Sequence, residues 1–508
     1  MDAADADPTV EDAADLLDPG LRVQVLAGPG QGTAFVEAWT GFLLAEGHDA
    51  LTRWFGANAC PADAASVRHA LDRDILAIDR MIATQLDAIL HHRRVQALEG
   101  RWRGLRWLTD QVEDGPGDRI VIRLLSAGWR EIARDMERAD EFDQSHLFRR
   151  IYETEFGMAG GEPYGLLLID HAVRHQPDRD HPIDDKAVLE HLAQIAAAAF
   201  APIVVAAAPE LLGVDTFAEL AAVTRPAAVL ADPEHRRWRE LGDRLDSRFL
   251  AVVLPRVLAR PPWPDDGTRG DGFRYRETAA SVADRLWMSG AYPFAAVVAR
   301  AAARFAWPAD IRGSDPDRVG GGLVTGLPAE PHRLSQTLAL PRLPMEVVFS
   351  DGQERMLVEA GLMPIGAPPH GEALLFGAVR SLYRPPRLAS AAAFADSKIV
   401  TQVNALLCAC RFAHYLKVRG RQIIGRLRRP DEIEFELREW LASFVNRNTM
   451  STSETRAARP LYDASVKVTE RPDKPGVFDC AIDLQPYFQL DNVTASFNFA
   501  TEISPPAA

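Results

Sequence analysis

Residues 188–207 read VLEHLAQIAAAAFAPIVVAA, and the change of pattern inside this stretch decides the fold class. Leu189, Leu192 and Ile195 recur at helical spacing, so residues 188–200 are expected to form a helix with one apolar face. From Ile203 to Ala207 every residue is apolar, without alternation, which is the pattern of a strand covered on both faces. Similar short runs stand at Ile120–Leu125, Leu166–Ile169 and Phe249–Leu254. Apolar strands separated by helices predict an α/β layer around a largely parallel sheet.

Upstream, Leu71, Ile75, Ile78, Ile82, Leu86 and Ile89 predict one face of a long amphipathic helix. Leu98, Trp102, Leu105 and Leu108 keep the helical period in the next stretch. Residues 1–66 are rich in Ala, Asp, Gly and Pro, with short apolar islands. Downstream, RPPWPDDGTRGDG (260–272) is expected as a surface loop and GSDPDRVGGGLVTGLP (313–328) as a long loop or linker. Ile399, Val403, Leu406, Cys410 and Ala413 form a further helical stripe, with Asp396 or Ser397 placed to cap it. Pro430 opens another helix, with Ile433, Leu437, Leu441 and Phe444 on its inner face. Strands are expected at Ala464–Glu470 and Phe478–Phe488, joined by the turn residues RPDKPG, and at Val493–Ala500. The division that follows is a variable segment at 1–66, a helical region at 67–112, a middle α/β domain at 113–312 and a C-terminal α/β domain at 329–508.

The chemistry that the sequence could carry is thin. Lys+Arg total 57 against 71 Asp+Glu, a formal charge of -14, which disfavours general nucleic-acid binding. Cys60, Cys408, Cys410 and Cys480 include no CxxC pair, and Cys408 and Cys410 project differently from one helix, so neither a disulfide framework nor a metal site is expected. No secretory signal and no apolar run of membrane-spanning length stands out, which suits a cytoplasmic protein. Gly28, Gly30 and Gly32 lack the Lys-Ser/Thr of a phosphate loop and are expected as a turn; Gly320, Gly321 and Gly322 precede no helix start. His91 and His92 suit a helix end. Glu162 and His414 could serve as acid and base, but neither has a nearby partner that gives it a mechanism. No catalytic, cofactor or metal residue is therefore assigned.

An ordered set of segments gives the chain its strongest resemblance. They include LDAILHHRRVQALEGRWRGLRWL (86–108), EFDQSHLFRRIYETEFGMAGGEPYGLLLID (141–170), AAAAFAPIVVAAAPELLGVDTFAEL (196–220) and HRRWRELGDRLDSRFLAVVLPRVLARPPW (235–263). RLWMSGAYPFAAVVARAAARFAWPADIRG (285–313), GGGLVTGLP (320–328) and RFAHYLKV (411–418) continue the series. Together they resemble the large subunit of the type VI secretion contractile sheath, the TssC/VipB/EvpB family. The resemblance implies a phage tail-sheath-like α/β fold with a helical N-terminal region and two α/β domains, and a structural role without a cofactor. It also implies partners: the small sheath subunit (TssB/VipA), neighbouring copies of the chain, the Hcp tube, the baseplate and the ClpV ATPase. Residues 1–66 do not resemble the usual opening of the family, where some members carry the helix that ClpV grasps. The alternatives are a sheath-like subunit of a related contractile injection machine and, more remotely, an α/β enzyme whose pocket would gather Glu162 or His414 with other titratable groups.

Two segments are candidate interfaces. Lys417, Arg419, Arg421, Arg426, Arg428 and Arg429 make the most basic stretch of an acidic chain and are expected to face the Hcp tube or an acidic neighbour. Val493, Ala495, Phe497 and Phe499 alternate along the last strand, whose backbone edge is then open to a neighbouring subunit.

Overall fold

The computed structural model describes residues 20–28, 32–112, 115, 119–158, 160–267, 272–315, 318–333, 339–368, 373–386, 400–424, 429–448, 451–471, 478–486 and 497–503; for 331–333, 339–341, 421–424 and 497–503 the backbone alone is described. The proposed helix caps Asp396 and Ser397, the turn residues 472–476, and Gly30 lie outside the described residues. The chain separates into two compact units, residues 1–95 with 262–279 and residues 96–261 with 280–508.

The first unit holds helices α1 (Gly20–Leu26), α2 (Thr33–Leu44), α3 (Gly47–Phe55) and α4 (Ala64–Leu90). Asp63 caps α4 by accepting from the Ala65 and Ser66 amides. A small core of Leu21, Trp54, Phe55 and Ala70 surrounds a buried carboxylate, Asp74, which accepts from Arg22 Nε at 2.7 Å and Trp54 Nε1 at 3.0 Å. The apolar stripe expected on α4 is mostly outside that core, since Ile75, Ile82 and Ile89 are exposed. Residues 273–277 lie against the same helix: Tyr275 donates to Asp87, and His91 pairs with Glu277 at 3.2 Å.

α5 (Arg93–Gln111) runs from the first unit into the second. Of the expected stripe, Leu108 is buried and Leu105 packs against the core, while Leu98 and Trp102 are exposed; Gly100, Gly104 and Trp107 complete the buried face. A Cβ on Gly100 would strike the Trp287 carbonyl, and one on Gly104 the Tyr292 ring. The missing side chains let the helix lie close on its neighbours, which turns Leu98 and Trp102 outward.

The second unit is built on a parallel sheet. After α6 (Trp129–Arg138), the one-turn α7 (His146–Phe148) and a π-helix at Arg149–Gly157 comes β1 (Leu167–Val173), then α8 (Asp185–Ala199), β2 (Ile203–Ala207), α9 (Arg236–Asp243) and β3 (Leu250–Leu254). A hairpin of β4 (Val257–Arg260) and β5 (Leu286–Met288) leads to α10 (Ala291–Phe305), β6 (Leu323–Val324) and the pair β7 (Glu330–Arg333) and β8 (Ala339–Arg342). Then come α11 (Asp351–Glu359), β9 (Met363–Pro364) and β10 (Leu374–Leu375). The sheet order is β1-β2-β3-β9, and every pair in it is parallel.

Alternation sorts the sheet into two cores. Ile203, Val205, Leu250, Val252 and Leu254 join the core that includes Leu189, Leu192 and Ile195 of α8. Val204, Ala251 and Val253 join the other, with Phe294, Val297 and Val298 of α10. Residues 203–207 and 250–254 are all buried, as unbroken apolar runs require.

Beyond the sheet, α12 (Val403–Ile424), α13 (Pro430–Ala442) and α14 (Ser453–Ala458) precede a meander of β11 (Leu461–Glu470), β12 (Phe478–Pro486) and β13 (Phe497–Ile503). Leu406, Cys410 and Phe412 of α12, Ile433, Leu437 and Leu441 of α13, and Val466, Cys480 and Ile482 of the meander continue the α8 core. Cys408 and Cys410 are buried free thiols, both pushed up by burial, Cys408 to about 12; Cys480 is likewise pushed up by burial to about 12.

The Gly/Pro-rich stretch 313–328 is close-packed backbone, and the parallel sheet takes β9 from beyond it. The Gly322 amide donates to Gly313 O at 2.7 Å, the Phe376 amide to Gly322 O at 2.9 Å, and the Gly313 amide to Phe376 O at 2.9 Å. A Cβ on Gly322 would collide with the Phe376 carbonyl, so glycine serves approach here and not looseness. Gly322→Ala should destabilise the unit by about 1–3 kcal/mol. Gly352→Ala, in the first turn of α11 with open space around it, should be neutral or stabilising by about 0.5–1 kcal/mol. Urea unfolding of the two variants checks both.

Candidate partner interface

The run Ile120–Leu125, IVIRLL, expected as the first strand, forms none, and Ser126 and Ala127 continue it without regular structure. The chain here has no regular secondary structure, and none of its backbone groups takes part in a backbone–backbone hydrogen bond among the described residues. Arg123 holds it in place by donating to Glu155 Oε1 at 2.5 Å and Glu162 Oε2 at 2.6 Å while its guanidinium lies over the Tyr164 ring. Between this segment and β1 opens a cleft of about 1570 Å³. β1 is the terminal strand of its sheet, paired only with β2 among the described residues.

The cleft walls are apolar and wet. Leu98 and Trp102 of α5 line it beside Val121, Ile122, Leu124 and Leu125, and all six are among the exposed large hydrophobic residues of the chain. Apolar side chains gathered around one groove are the mark of an interaction surface. The volume exceeds the roughly 300–1,000 Å³ of a small-molecule site. An open sheet edge on one side and a segment without backbone pairing on the other suit an incoming strand.

Glu162 and His414 both border this cleft, the arrangement by which an enzyme would be suspected. Each is already engaged. Glu162 is ion-paired with Arg123, and His414 Nε2 lies 3.0 Å from Ala199 O with its ring against Phe156. Burial pushes the His414 imidazole down to about 4, so it is neutral at physiological pH. Asp170, on the β1 side, has its carboxyl raised by burial and accepts from Tyr292 Oη at 2.7 Å.

The candidate interface residues of the C-terminal region are placed unevenly. β13 pairs with β12 in antiparallel register, Ile482 opposite Phe499 and Leu484 opposite Phe497. Its other edge has no ladder partner among the described residues. Val493 and Ala495 lie outside the described residues, as do Arg426 and Arg428, and of Arg421 the backbone alone is described. Lys417 is half-buried with Nζ 4.5 Å from the Phe156 ring centre, Arg419 lies over Trp440, and Arg429 is exposed just before α13. The basic stretch is thus partly spent on aromatic faces of its own unit.

Residues 72–383 match the VipB family, EvpB/VC_A0108, tail sheath N-terminal domain, and residues 392–503 match VipB_2, the tail sheath gpW/gp25-like domain of EvpB/VC_A0108. The chain belongs to the large-subunit family of the type VI secretion sheath. It is 31% identical over 434 residues to the type VI secretion system sheath protein TssC1 of Pseudomonas aeruginosa, covering 84% of this chain and 85% of that protein. The sheath tail protein of Desulfitobacterium hafniense superposes at a TM-score of 0.28 and 10% identity, over 63% of this chain and 60% of that one, too distant to bear on the fold. The sheath family is structural, and its membership implies a small-subunit partner and self-assembly. Among the described residues, no helix is long and apolar enough to cross a membrane.

The neutral His414 gives a pH dependence with a definite sign. The unfolded chain takes up a proton near pH 6.5 that the folded chain refuses until about 4, so this stability is full above pH 6.5 and is lost as pH falls toward 4. At pH 5 the loss from this group is about 2 kcal/mol relative to neutral pH. His414→Gln should remove that share of the acid sensitivity, measured as the difference in unfolding free energy between pH 7.5 and pH 5.

Proposed function

We propose that this chain is a cytoplasmic structural subunit that assembles with the small sheath subunit (TssB/VipA) around the Hcp tube and contracts to drive the tube outward. The observation that carries the reading is the unfinished sheet: an open β1 edge across the cleft from Ile120–Ala127, a run whose backbone pairs with no other backbone among the described residues. The small subunit supplies the missing strand, its main chain pairing with an edge and its apolar side chains covering Leu98, Trp102 and Leu124. A partner chain is the natural occupant, because interfaces that stay permanently filled are the more apolar ones.

Neighbouring heterodimers join through the free edge of β13 in the same reading. Interfaces of two different kinds on one repeating unit generate an open helix, and main-chain pairing at its joints survives the rearrangement of side-chain contacts that contraction requires. Arg426, Arg428 and Arg429 face the tube, the baseplate receives the end of the sheath, and ClpV acts on the contracted form.

Leu124→Pro removes a backbone donor in the middle of the unpaired run. The variant should fold with unaltered stability as a single chain and lose co-purification with the co-expressed small subunit; retained co-purification would reject the cleft as the docking site. For the second joint, Asn498→Pro and Phe499→Pro remove donors that point to opposite edges of β13. One of the two should leave the heterodimer intact and abolish tubules under the electron microscope, and normal tubules from both would end the linking role.

A further inference from the structure

At the carboxyl end of β1, three rings stack in series. Trp129 lies on His171 with centroids 4.1 Å apart, and His171 on His181 at 5.0 Å. Their nitrogens converge on one atom. Trp129 Nε1 is 2.7 Å, His181 Nε2 3.0 Å and His171 Nε2 3.2 Å from Asp185 Oδ1, while the Arg174 amide donates to Oδ2 at 2.8 Å. Asp185 is buried at the start of α8. A carboxylate oxygen offers two lone pairs, so three N–H donors on one oxygen are one too many. The indole can only donate; the two imidazoles can instead present lone pairs.

We propose that His171, His181 and Asp185 form a binding site for a divalent first-row transition ion of the zinc type. Their ligand atoms lie within 4.8 Å of one another. A tetrahedral ion with bonds of about 2.0–2.1 Å holds its ligands roughly 3.3 Å apart, close to the two nitrogen–oxygen separations here. The imidazole nitrogens are the pair that must close up, and His181, in the loop between β1 and α8, can turn to bring its nitrogen in. Each imidazole would bind through Nε2 with its ring proton on Nδ1, so the ion takes the place of two hydrogen bonds to Asp185. The Trp129 and Arg174 N–H groups then orient the carboxylate, the usual support of a ligating oxygen. Both imidazoles retain some solvent contact, which leaves room for a solvent ligand. Ligands of parallel α/β layers sit at this end of the strands for the same reason of access.

The test uses the full-length chain, stripped with chelator and titrated with Zn²⁺ by calorimetry and with Co²⁺ by absorption. The expected result is one ion per chain with a dissociation constant in the micromolar range or below, and visible cobalt bands without the near-ultraviolet sulfur-to-cobalt transition. His181→Gln, a loop substitution, and Asp185→Asn should each weaken binding at least about tenfold, the scale on which ligand-shell changes act. The His181→Gln variant should keep the wild-type circular dichroism, and it decides the matter if Asp185→Asn does not fold. Absence of one-to-one binding, equal binding by His181→Gln, or a thiolate band would overturn the site and leave a hydrogen-bonded ring stack.

Discussion

Strands β2 and β3 are buried on both faces, so every peptide group they carry has to find its partner within the sheet. That requirement organises the second unit. It places a helical layer on each face, α8 on one side and α10 on the other, and sends alternate residues of each strand into separate cores. It also pushes every unmet backbone demand outward to the two terminal strands, β1 and β9. At β9 the demand is slight, because Met363 and Pro364 are the only residues in the ladder and proline has no amide to pair. At β1 it is not, and the cleft beside it follows.

Much of this was legible in the residues. The runs 203–207 and 249–254 coincide with β2 and β3 because an interior parallel strand has no polar face and therefore no ambiguity of pattern. Pro430 and the stripe from Ile433 to Leu441 marked α13 for an equally local reason. Residues 120–125 have the same composition as the buried strands, yet they stay unpaired, since composition reports the wish for a partner and not which chain supplies it. α5 was misread in part on its buried side. Periodicity counts side chains, and this helix packs through Gly100 and Gly104, which have none. The stretch 313–328 looked like a linker for the same reason in reverse, as glycine at a close backbone crossing and glycine in a loose loop are one letter.

Three titratable groups around the cleft are engaged within their own chain. Glu162 is spent on Arg123, Asp170 on Tyr292 and His414 on a main-chain carbonyl. Each polar group has been satisfied from behind, within its own chain, so that the surface facing the groove is left to Leu98, Trp102, Val121 and Leu124. Asp185 is the different case. Its Oδ1 faces three nitrogens, from a helix, a strand and a loop, with only two lone pairs to offer them.

The unpaired run 120–127 has a consequence for how a cell must make this protein. A nascent chain exposing a β-branched segment with a bare backbone beside an open sheet edge offers two identical copies everything they need to stick to each other. The hazard grows with the square of the concentration of free chains and vanishes when the proper strand arrives first. On the proposed docking, matched synthesis of the two sheath subunits is a matter of colloid chemistry as much as of stoichiometry, since a surplus of this chain leaves the apolar cleft uncovered and a surplus of the strand donor does not.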